Sequence, residues 1–158
     1  HPDWSIDFVC VTQVKSSKAW RQSKIYDQVQ GIGQDRLRFT DVLPYQQILR
    51  LYQEAAIAVV PSRYQEPFGR TALEAVASKA VLVTSGTGGL AEIGGDFAAY
   101  PGRQNPQAYA DAIIALISDE EKRLSMAQQA YDRAKGLFEQ ALISEAYDDF
   151  VDEILSQS

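Results

Sequence analysis

Two glutamates, Glu66 and Glu74, lie on either side of a predicted helix start in the segment Pro61–Ala77 (PSRYQEPFGRTALEAVA). A carboxylate in a loop can accept hydrogen bonds from two sugar hydroxyls at once. The helix start near Gly69 offers backbone N–H donors and the positive end of the helix dipole, both of which suit a phosphate. Because Gly69 has no side chain, a ligand can approach the backbone closely there. The segment therefore combines groups that can bind a sugar with groups that can bind a phosphate.

A second candidate is the segment Thr84–Ile93 (TSGTGGLAEI), in which three glycines in four positions leave a predicted strand and open a short helix. Successive backbone N–H groups in such a turn can form an anion-binding nest. A tight turn that needs positive φ explains the same glycines equally well. The segment is not a P-loop, since the Gly-Lys-Ser/Thr ending is absent, and it is not the G-x-G-x-x-G dinucleotide fingerprint.

Spacing alone leaves simpler roles open for the two glutamates. Glu66 can balance the dipole of the following helix, and Glu74 can be a solvated residue on it. Catalysis by histidine or cysteine is disfavoured, because the only histidine is His1 and the only cysteine is Cys10. A serine–histidine–aspartate triad and a zinc site therefore lack the residues that they need.

Short apolar runs alternate with helical stretches along the chain. This alternation predicts parallel β-α units with right-handed crossovers. In such a sheet, ligands bind at the carboxyl ends of the strands, and both candidate segments begin at such an end. The predicted strands are Ile6–Val11, Leu37–Phe39, Ile57–Val60, Val81–Thr84 and Phe97–Tyr100. The fold class is thus α/β, a Rossmann-like parallel sheet flanked by helices.

Four helices are predicted between the strands, and the C-terminal third is helical throughout. The predicted segments between the strands are Ser17–Val29, a helix opened by Leu43-Pro44, Gly69–Ser78, and a short helix ending at Ile93. In the last third, Asn105-Pro106 starts one helix, and Ser118 with Glu121 matches a capping box that starts the next. The apolar faces of the last two helices are predicted to be Leu124, Ala127, Tyr131 and Ala134, then Ile143, Tyr147, Phe150 and Ile154.

Composition narrows the class of protein. A chain of 158 residues fits one domain. Its net charge of -6, without a cluster of Lys and Arg, argues against a nucleic-acid partner. No apolar run is long enough to span a membrane. The single cysteine excludes a disulfide within the chain and suits a reducing compartment, so a cytoplasmic location is expected.

Two segments form a combined pattern when they are taken in order: Pro61-Ser62-(three residues)-Glu66-Pro67-Phe68-Gly69-(four residues)-Glu74-Ala75, then Gly88-Gly89-Leu90-Ala91-Glu92-Ile93. Upstream of them stand Phe39-Thr40-Asp41-Val42 and Leu51-Tyr52-(two residues)-Ala55. Over nearly the whole chain this pattern resembles the C-terminal domain of glycosyltransferase family 4. The resemblance implies the GT-B architecture, in which two Rossmann-like domains enclose the active site. It also implies transfer of a sugar, of the hexosyl type, from a nucleotide diphosphate donor to an acceptor hydroxyl with retention, without metal or cofactor.

The resemblance assigns roles to individual residues. Glu66 is expected to be the catalytic residue that contacts hydroxyls of the donor sugar, and Glu74 to hold the ribose hydroxyls. Backbone N–H groups near Gly69 meet the sugar and diphosphate, and Val42 borders the base. Arg70 replaces a usual aliphatic residue, and it either meets the diphosphate or faces solvent. The other expected substrate-binding residues are Pro67, Phe68, Thr71, Gly88, Gly89 and Glu92.

The chain also departs from the family pattern. The strand and loop whose arginine and lysine clamp the diphosphate are not found, so residues 1–158 are expected to be a donor-binding fragment that lacks its first strand and helix. The partner it lacks is an N-terminal acceptor domain, without which the fragment is expected to be inactive. Peripheral membrane association of the full enzyme is compatible with the pattern. The alternative is a non-catalytic, Rossmann-like module that binds a nucleotide or a sugar. Donor, base and acceptor are not predicted.

Overall fold

A computed structural model describes residues 1, 3–9, 36–40 and 42–156. The predicted helix Ser17–Val29 and the last two residues of the predicted strand Ile6–Val11 lie outside these ranges, as does Cys10. The chain divides into two compact units, His1–Arg50 and Leu51–Ser158, and each is described by itself.

The first unit contains a parallel strand pair. Strand β1 (Ile6–Val9) pairs with β2 (Leu37–Thr40), which extends one residue beyond the predicted strand. Phe8 and Phe39 lie opposite each other in this register, and their rings stack with centroids 4.7 Å apart. The next helix, α1 (Tyr45–Glu54), begins in this unit and ends in the second one.

The sequence suggested that Pro44 lies in the first turn of α1. In the structure, Pro44 precedes the helix. Its carbonyl accepts hydrogen bonds from the amides of Gln47 and Ile48, at 2.9 and 3.2 Å. A residue whose carbonyl takes the first helical hydrogen bond is the N-cap. At the other end of α1, Tyr52 and the following Ala55 pack against a buried cluster of alanines in the second unit, formed by Ala58, Ala75 and Ala80.

The second unit contains a β-α-β unit. Strand β3 (Ile57–Val60) pairs in parallel with β4 (Val81–Thr84), and helix α2 (Arg70–Ala77) connects them. Every residue of β4 is buried, as expected for a parallel strand covered on both faces. The bounds of both strands agree with the prediction, and the α/β class with parallel strands flanked by helices is confirmed.

The turn from α2 into β4 passes through Lys79, whose φ of 62° lies in the left-handed region. Its ammonium donates to Oε1 of Gln128 at 3.0 Å and lies 4.8 Å from the centroid of the Tyr131 ring. Both partners belong to helix α5 (Glu120–Phe138). The lysine side chain thus ties the turn to α5.

The predicted strand Phe97–Tyr100 is wrong. After β4 the chain forms helix α3 (Gly89–Gly94) and a 3-10 turn (Gly95–Phe97). Only Ala99 then pairs with β4: its amide donates to the Leu82 carbonyl, and its carbonyl accepts from the Thr84 amide, both at 2.9 Å. The pairing cannot begin earlier, because Phe97 belongs to the 3-10 turn.

Helices α4 (Pro106–Ser118), α5 and α6 (Gln140–Ser156) make up the C-terminal third. Asn105 caps α4 as predicted, since its side chain accepts from the Ala108 amide at 3.1 Å. The capping box at Ser118 is wrong. Ser118 is still helical, and Asp119 caps α5 by accepting from the Lys122 amide at 2.9 Å. Within the described ranges, no helix combines the length and apolarity needed to cross a bilayer.

Small residues on one face of α5 bring it against the core of the second unit. The main buried cluster is Ala72, Val76, Leu82, Leu90, Ile93, Ala98, Ala130 and Ala134. The predicted inward residue Leu124 is 59% exposed, whereas its neighbour Arg123 is buried because its Nη1 donates to the Leu116 carbonyl at 2.8 Å. The predicted apolar face of α6 is exposed, with Ile143 at 52% and Tyr147 at 66%.

Candidate functional site

Hydrogen bonds join the C-terminal ends of the neighbouring strands β3 and β4. The hydroxyl of Thr84, a fully buried residue, donates to the Val60 carbonyl at 2.9 Å, and the Ser85 amide reaches the same oxygen at 3.4 Å. Because parallel strands end at one edge of the sheet, the segments that follow them leave the sheet side by side. The two segments selected from the sequence therefore begin next to each other.

The loop 61–68 after β3 and the turn 85–88 after β4 are joined by main-chain contacts. Glu66 and Gly88 form an isolated parallel bridge, and the Gly89 amide donates to the Glu66 carbonyl at 2.8 Å. The hydroxyl of buried Thr87 donates to the Tyr64 carbonyl at 2.6 Å. Thr87 was not selected from the sequence, because its contact is with a loop that lies more than twenty residues earlier in the chain.

Glycine is required on both sides of this contact. Gly88 has a φ of 58° and Gly69 a φ of 89°, values that other residues rarely adopt. A Cβ atom at Gly88 would overlap the Glu66 carbonyl, and one at Gly89 would overlap the Phe68 carbonyl. The tight-turn explanation for these glycines thus has a structural basis, and it applies together with any role in binding.

The carboxylate of Glu66 is partly buried and held from within its own loop. The hydroxyl of Ser62 donates to Oε2 of Glu66 at 3.1 Å. Ser62 belongs to the motif found in the sequence, where its residue type indicated no role of its own. Its position four residues before Glu66, directly after the strand, was the available signal. The contact orients the carboxylate that was selected as the sugar-binding group.

Glu74 lies on α2, one turn beyond the helix start. Its Oε1 accepts from Nε of Arg70 at 2.7 Å, and the two side chains are 16% and 72% exposed. Arg70 thus contacts Glu74 while most of its side chain faces solvent, which is one of its two expected roles. The arginine end of this pair is open to water, whereas the Glu74 carboxylate is mostly shielded. A ligand that displaces Arg70 must therefore provide its own hydrogen bonds to that carboxylate.

Tyr52, at the end of α1, was predicted only as part of an apolar stripe. Burial and, to a smaller extent, the negative charge of Glu74 together raise the pKa of its phenol to about 12. Tyr52 is partly buried, and its phenol is neutral at physiological pH. Its pKa responds to the charge of Glu74, the group that was expected to bind a ribose.

The other selected residues occupy different surroundings. Phe68 is 49% exposed and meets the Phe138 ring edge-to-face, with centroids 5.8 Å apart. Pro67, Thr71 and Glu92 are exposed at the surface of the second unit. Val42 belongs to the first unit, where its side chain is 43% exposed.

The site thus offers two carboxylates, a helix start and a glycine turn. The amides of the first turn of a helix have no carbonyl partner one turn earlier, so the start of α2 favours an anion. Glu66 and Glu74 lie on opposite sides of that start along the chain. Among the described residues, no group of three or more His, Cys, Asp or Glu is arranged to hold a metal ion.

Comparison with known sequences identifies a family and several relatives. The family model described as glycosyl transferases group 1 matches residues 21–133. The D-inositol 3-phosphate glycosyltransferase of Corynebacterium aurimucosum is 38% identical over 107 residues, which are 66% of this chain and 25% of that protein. The chain therefore matches only about a quarter of the length of this relative.

Comparison with solved structures gives the same fold. The C-terminal domain of a glycosyl transferase group 1 family protein (LpcC) from Francisella tularensis is 26% identical, with a TM-score of 0.74 over 89% of this chain and 72% of that one. Anabaena Alr3699/HepE in complex with UDP-glucose has a TM-score of 0.79 at 20% identity, over 97% of this chain and 42% of that one. At this lower identity the likeness concerns the fold alone.

Proposed function

The chain belongs to the glycosyl transferases group 1 family, and on this premise we propose that it is the donor-binding domain of a retaining, metal-independent glycosyltransferase of family 4. Its donor is a nucleotide diphosphate hexose, and the acceptor is a hydroxyl group. The hydrogen bond of 2.8 Å from the Gly89 amide to the Glu66 carbonyl carries the proposal, because it holds the main chain of Glu66 in place just before the start of α2. The UDP-glucose complex of the Anabaena protein supports this class of ligand.

Glu66 binds the donor sugar in this proposal. A carboxylate can accept two hydrogen bonds from neighbouring hydroxyls of a pyranose, and bonds to a charged acceptor are stronger than neutral ones. Ser62, which donates to Oε2 of Glu66 at 3.1 Å, fixes the orientation of the carboxylate before the donor arrives. The catalytic role of Glu66 is therefore to hold the sugar ring in a reactive orientation.

The start of α2 binds the diphosphate. When the bond between the anomeric carbon and the diphosphate oxygen breaks, negative charge grows on the phosphate oxygens. The helix dipole and the backbone amides near Gly69 stabilise that charge without rearrangement. The acceptor oxygen forms its bond on the face from which the diphosphate departs, and its proton passes to the leaving phosphate. This sequence retains the anomeric configuration.

Glu74 binds the ribose hydroxyls. Its carboxylate now accepts from Arg70, and the exposed arginine can turn from Glu74 toward the diphosphate when a nucleotide occupies the site. The nearby Tyr52 hydroxyl, whose pKa is raised to about 12, stays neutral at physiological pH and can donate to the same carboxylate or to the ribose. Val42 is proposed to border the base.

Transfer is proposed to require a second, acceptor-binding domain. The match covers 25% of the Corynebacterium relative, so most of a relative of that size lies outside the matched region. The alternative is a module that binds a nucleotide or sugar without catalysis, and it predicts the same ligand binding by this domain. The two differ in whether a polypeptide with both domains forms a glycoside. Magnetic resonance of the anomeric proton of the product would then test retention.

Titration calorimetry tests the binding proposal. The chain should bind both UDP-glucose and UDP, with the corresponding GDP and ADP ligands measured in parallel because the base is not specified. Glu66→Gln should weaken the binding of the nucleotide sugar roughly ten- to 150-fold and leave the free nucleotide unchanged, since one charged hydrogen bond contributes about 1.5–3 kcal/mol. Glu74→Gln should weaken both ligands alike.

Glu145→Gln is the matched control. It removes an exposed carboxylate from α6, far along the chain from the loop 61–68, and should change neither affinity. The proposal is contradicted if none of the nucleotide ligands binds. The assignment of Glu66 alone is contradicted if Glu66→Gln weakens the nucleotide sugar and the free nucleotide equally.

A further inference from the structure

The C-terminal end of α3 is held by an arginine from α5. Nη2 of Arg133 donates to the Glu92 carbonyl at 2.9 Å, and the two residues are forty-one positions apart. The last carbonyls of a helix have no partner in the helix, and a cation there also interacts favourably with the helix dipole. A Cβ atom at Gly95 would overlap the Arg133 side chain, which therefore lies directly against the main chain after α3.

Tyr100 holds the same end of α3. Its hydroxyl donates to the Gly95 carbonyl at 2.7 Å and lies 3.4 Å from the Ala91 carbonyl. Burial raises the pKa of the Tyr100 phenol, and the nearby Arg133 guanidinium partly offsets this rise. The two side chains thus form one anchor, here called the α3 anchor, composed of Arg133 and Tyr100.

The anchor carries a cost in folding energy. Nε of Arg133 is buried and has no hydrogen-bond partner among the described residues. A buried donor without a partner loses its hydration and gains nothing in return. Methionine would fill much of the same space without this loss. Stability alone therefore does not account for an arginine at position 133.

The opposite end of α3 reaches the site. This helix has six residues, from Gly89 to Gly94, and it starts with the amide that donates to the Glu66 carbonyl. A displacement at Glu92 should be transmitted along the helix to Gly89, since less than one turn separates them. Helix α3 thus connects the hydrogen bond from Arg133 at one end with the hydrogen bond to the Glu66 carbonyl at the other.

We propose that Arg133 is a positioning residue for the nucleotide-sugar site: it holds the carbonyl end of α3 so that the Gly89 amide stays on the Glu66 carbonyl. Tyr100 assists it from the other side of the same helix end. The ligand in this inference rests on the proposed function, whereas the coupling between Arg133 and Gly89 does not depend on it.

The chain provides a matched control for this role. Arg123 lies on the same helix α5, is buried, and donates to the carbonyl of Leu116 at 2.8 Å. Like Arg133, it binds the carbonyl end of a helix, but that helix is α4, which contributes no residue to the site. Arg123→Met and Arg133→Met each remove a hydrogen bond to a helix carbonyl, and only the second should affect the site.

Two measurements test the proposal. The first is hydrogen exchange of the Gly89 amide without ligand, which should be faster in Arg133→Met than in Arg123→Met or in wild type. The second is the affinity for UDP-glucose, which should fall roughly three- to thirty-fold in Arg133→Met, the usual range for coupling through a packed element. Arg133→Lys should recover part of the affinity, because an ammonium can still donate to the Glu92 carbonyl. Tyr100→Phe keeps the ring and should give a smaller loss.

Positioning is excluded if Gly89 exchanges at the wild-type rate in Arg133→Met. It is also excluded if Arg123→Met and Arg133→Met lower the affinity equally, because both changes would then act only through stability. If Arg133→Met does not fold, Arg133→Lys and Tyr100→Phe provide the same comparison. Failure of wild type to bind any nucleotide sugar would overturn the proposed function, while the exchange of Gly89 would still decide the role of Arg133.

Discussion

The amide of Gly89 and the carbonyl of Glu66 are hydrogen-bonded at 2.8 Å, although one follows β4 and the other follows β3. The bond connects main-chain atoms only. The position of the Glu66 backbone therefore depends on how closely two segments of main chain approach each other, and on the glycines that permit it.

Gly89→Ala should be strongly destabilising. Its Cβ atom would overlap the Phe68 carbonyl, and neither main chain can move without breaking the contact with Glu66. Overpacking of this kind lowers the free energy of unfolding by about 1–3 kcal/mol, which denaturant titration can measure. The binding of UDP-glucose should weaken as well.

Gly136→Ala provides the control for that experiment. Gly136 lies within α5, and no atom is found within 4 Å of a Cβ atom added there. Alanine in a helix interior is favoured over glycine by about 0.5–1 kcal/mol, so this variant should be more stable than wild type. Equal effects of the two substitutions would show that the contact with Phe68 is not tight.

Tyr52 predicts a pH dependence of stability. The pKa of its phenol is about 12 in the folded chain, against roughly 10 in an unfolded chain. The folded state therefore holds the proton more tightly. The stability this gives is fully present below about pH 10 and is lost as the pH rises toward the folded value. Tyr52→Phe should remove this part of the alkaline loss in denaturant titrations.

Glu74→Gln tests the cause of that shift. Burial is the larger cause and the charge of Glu74 the second, so the variant should lower the pKa of Tyr52 while leaving it above the ordinary value. Ultraviolet difference spectra against Tyr52→Phe would follow the titration. Tyr64→Phe, at a side chain that is 80% exposed, is the control for the stability profile. A Tyr52 titration near the ordinary value would contradict the assignment.

The cap of α5 gives a test that separates two neighbouring residues. Asp119→Ala removes the acceptor of the Lys122 amide and should lower the free energy of unfolding by about 0.5–2 kcal/mol. Ser118→Ala should have little effect, because Ser118 is the last residue of α4. The reverse order of effects in thermal denaturation would restore the capping box that the sequence suggested.

Phe68 and Phe138 should be energetically coupled. Their edge-to-face contact, with centroids 5.8 Å apart, joins the loop 61–68 to the end of α5. A double-mutant cycle of Phe68→Leu and Phe138→Leu should give a coupling of about 0.5–1.5 kcal/mol. Phe68→Leu paired with Leu137→Ala, at a neighbour of Phe138, should show additive effects. Additivity in the first cycle would mean that the rings do not interact in solution.

The sequence predicted best where local chemistry decides the structure. Strands β3 and β4 are continuous β-branched and apolar runs, which are typical of strands covered on both faces. Asn105 followed by proline is a cap that acts on its own first turn. The edge shared by the two candidate segments followed from topology, since parallel strands place their carboxyl ends together.

Prediction failed where two neighbouring residues satisfy the same pattern. Ser118 and Asp119 can both cap a helix, and the length of α4 decides between them. Leu124 was assigned to the core of α5, yet Arg123 lies inside because the Leu116 carbonyl needs a donor. The contact between Arg123 and the Leu116 carbonyl arises because α4 and α5 pack together. The spacing of apolar residues in α5 does not predict it.

Within the site, the candidate residues could be selected from the sequence, but the side chains that they contact could not. Arg70 was expected to meet a diphosphate or to face solvent, and it faces solvent while also donating to Glu74, a partner that the sequence did not indicate. Tyr52 approaches Glu74 only because the end of α1 packs on the alanines of β3 and α2. Contacts of this kind depend on tertiary packing, which motif spacing does not encode. The binding roles of Glu66 and Glu74 stay predictions.

The left-handed backbone of Lys79 has a consequence for protein engineering. Glycine at such a position relieves the strain of a φ of 62° and is a common choice for improving heat resistance. Here the same substitution would remove the contacts of the side chain with Gln128 and Tyr131. A redesign guided by dihedral angles alone would therefore relieve the local backbone strain and at the same time loosen the contact between this turn and α5.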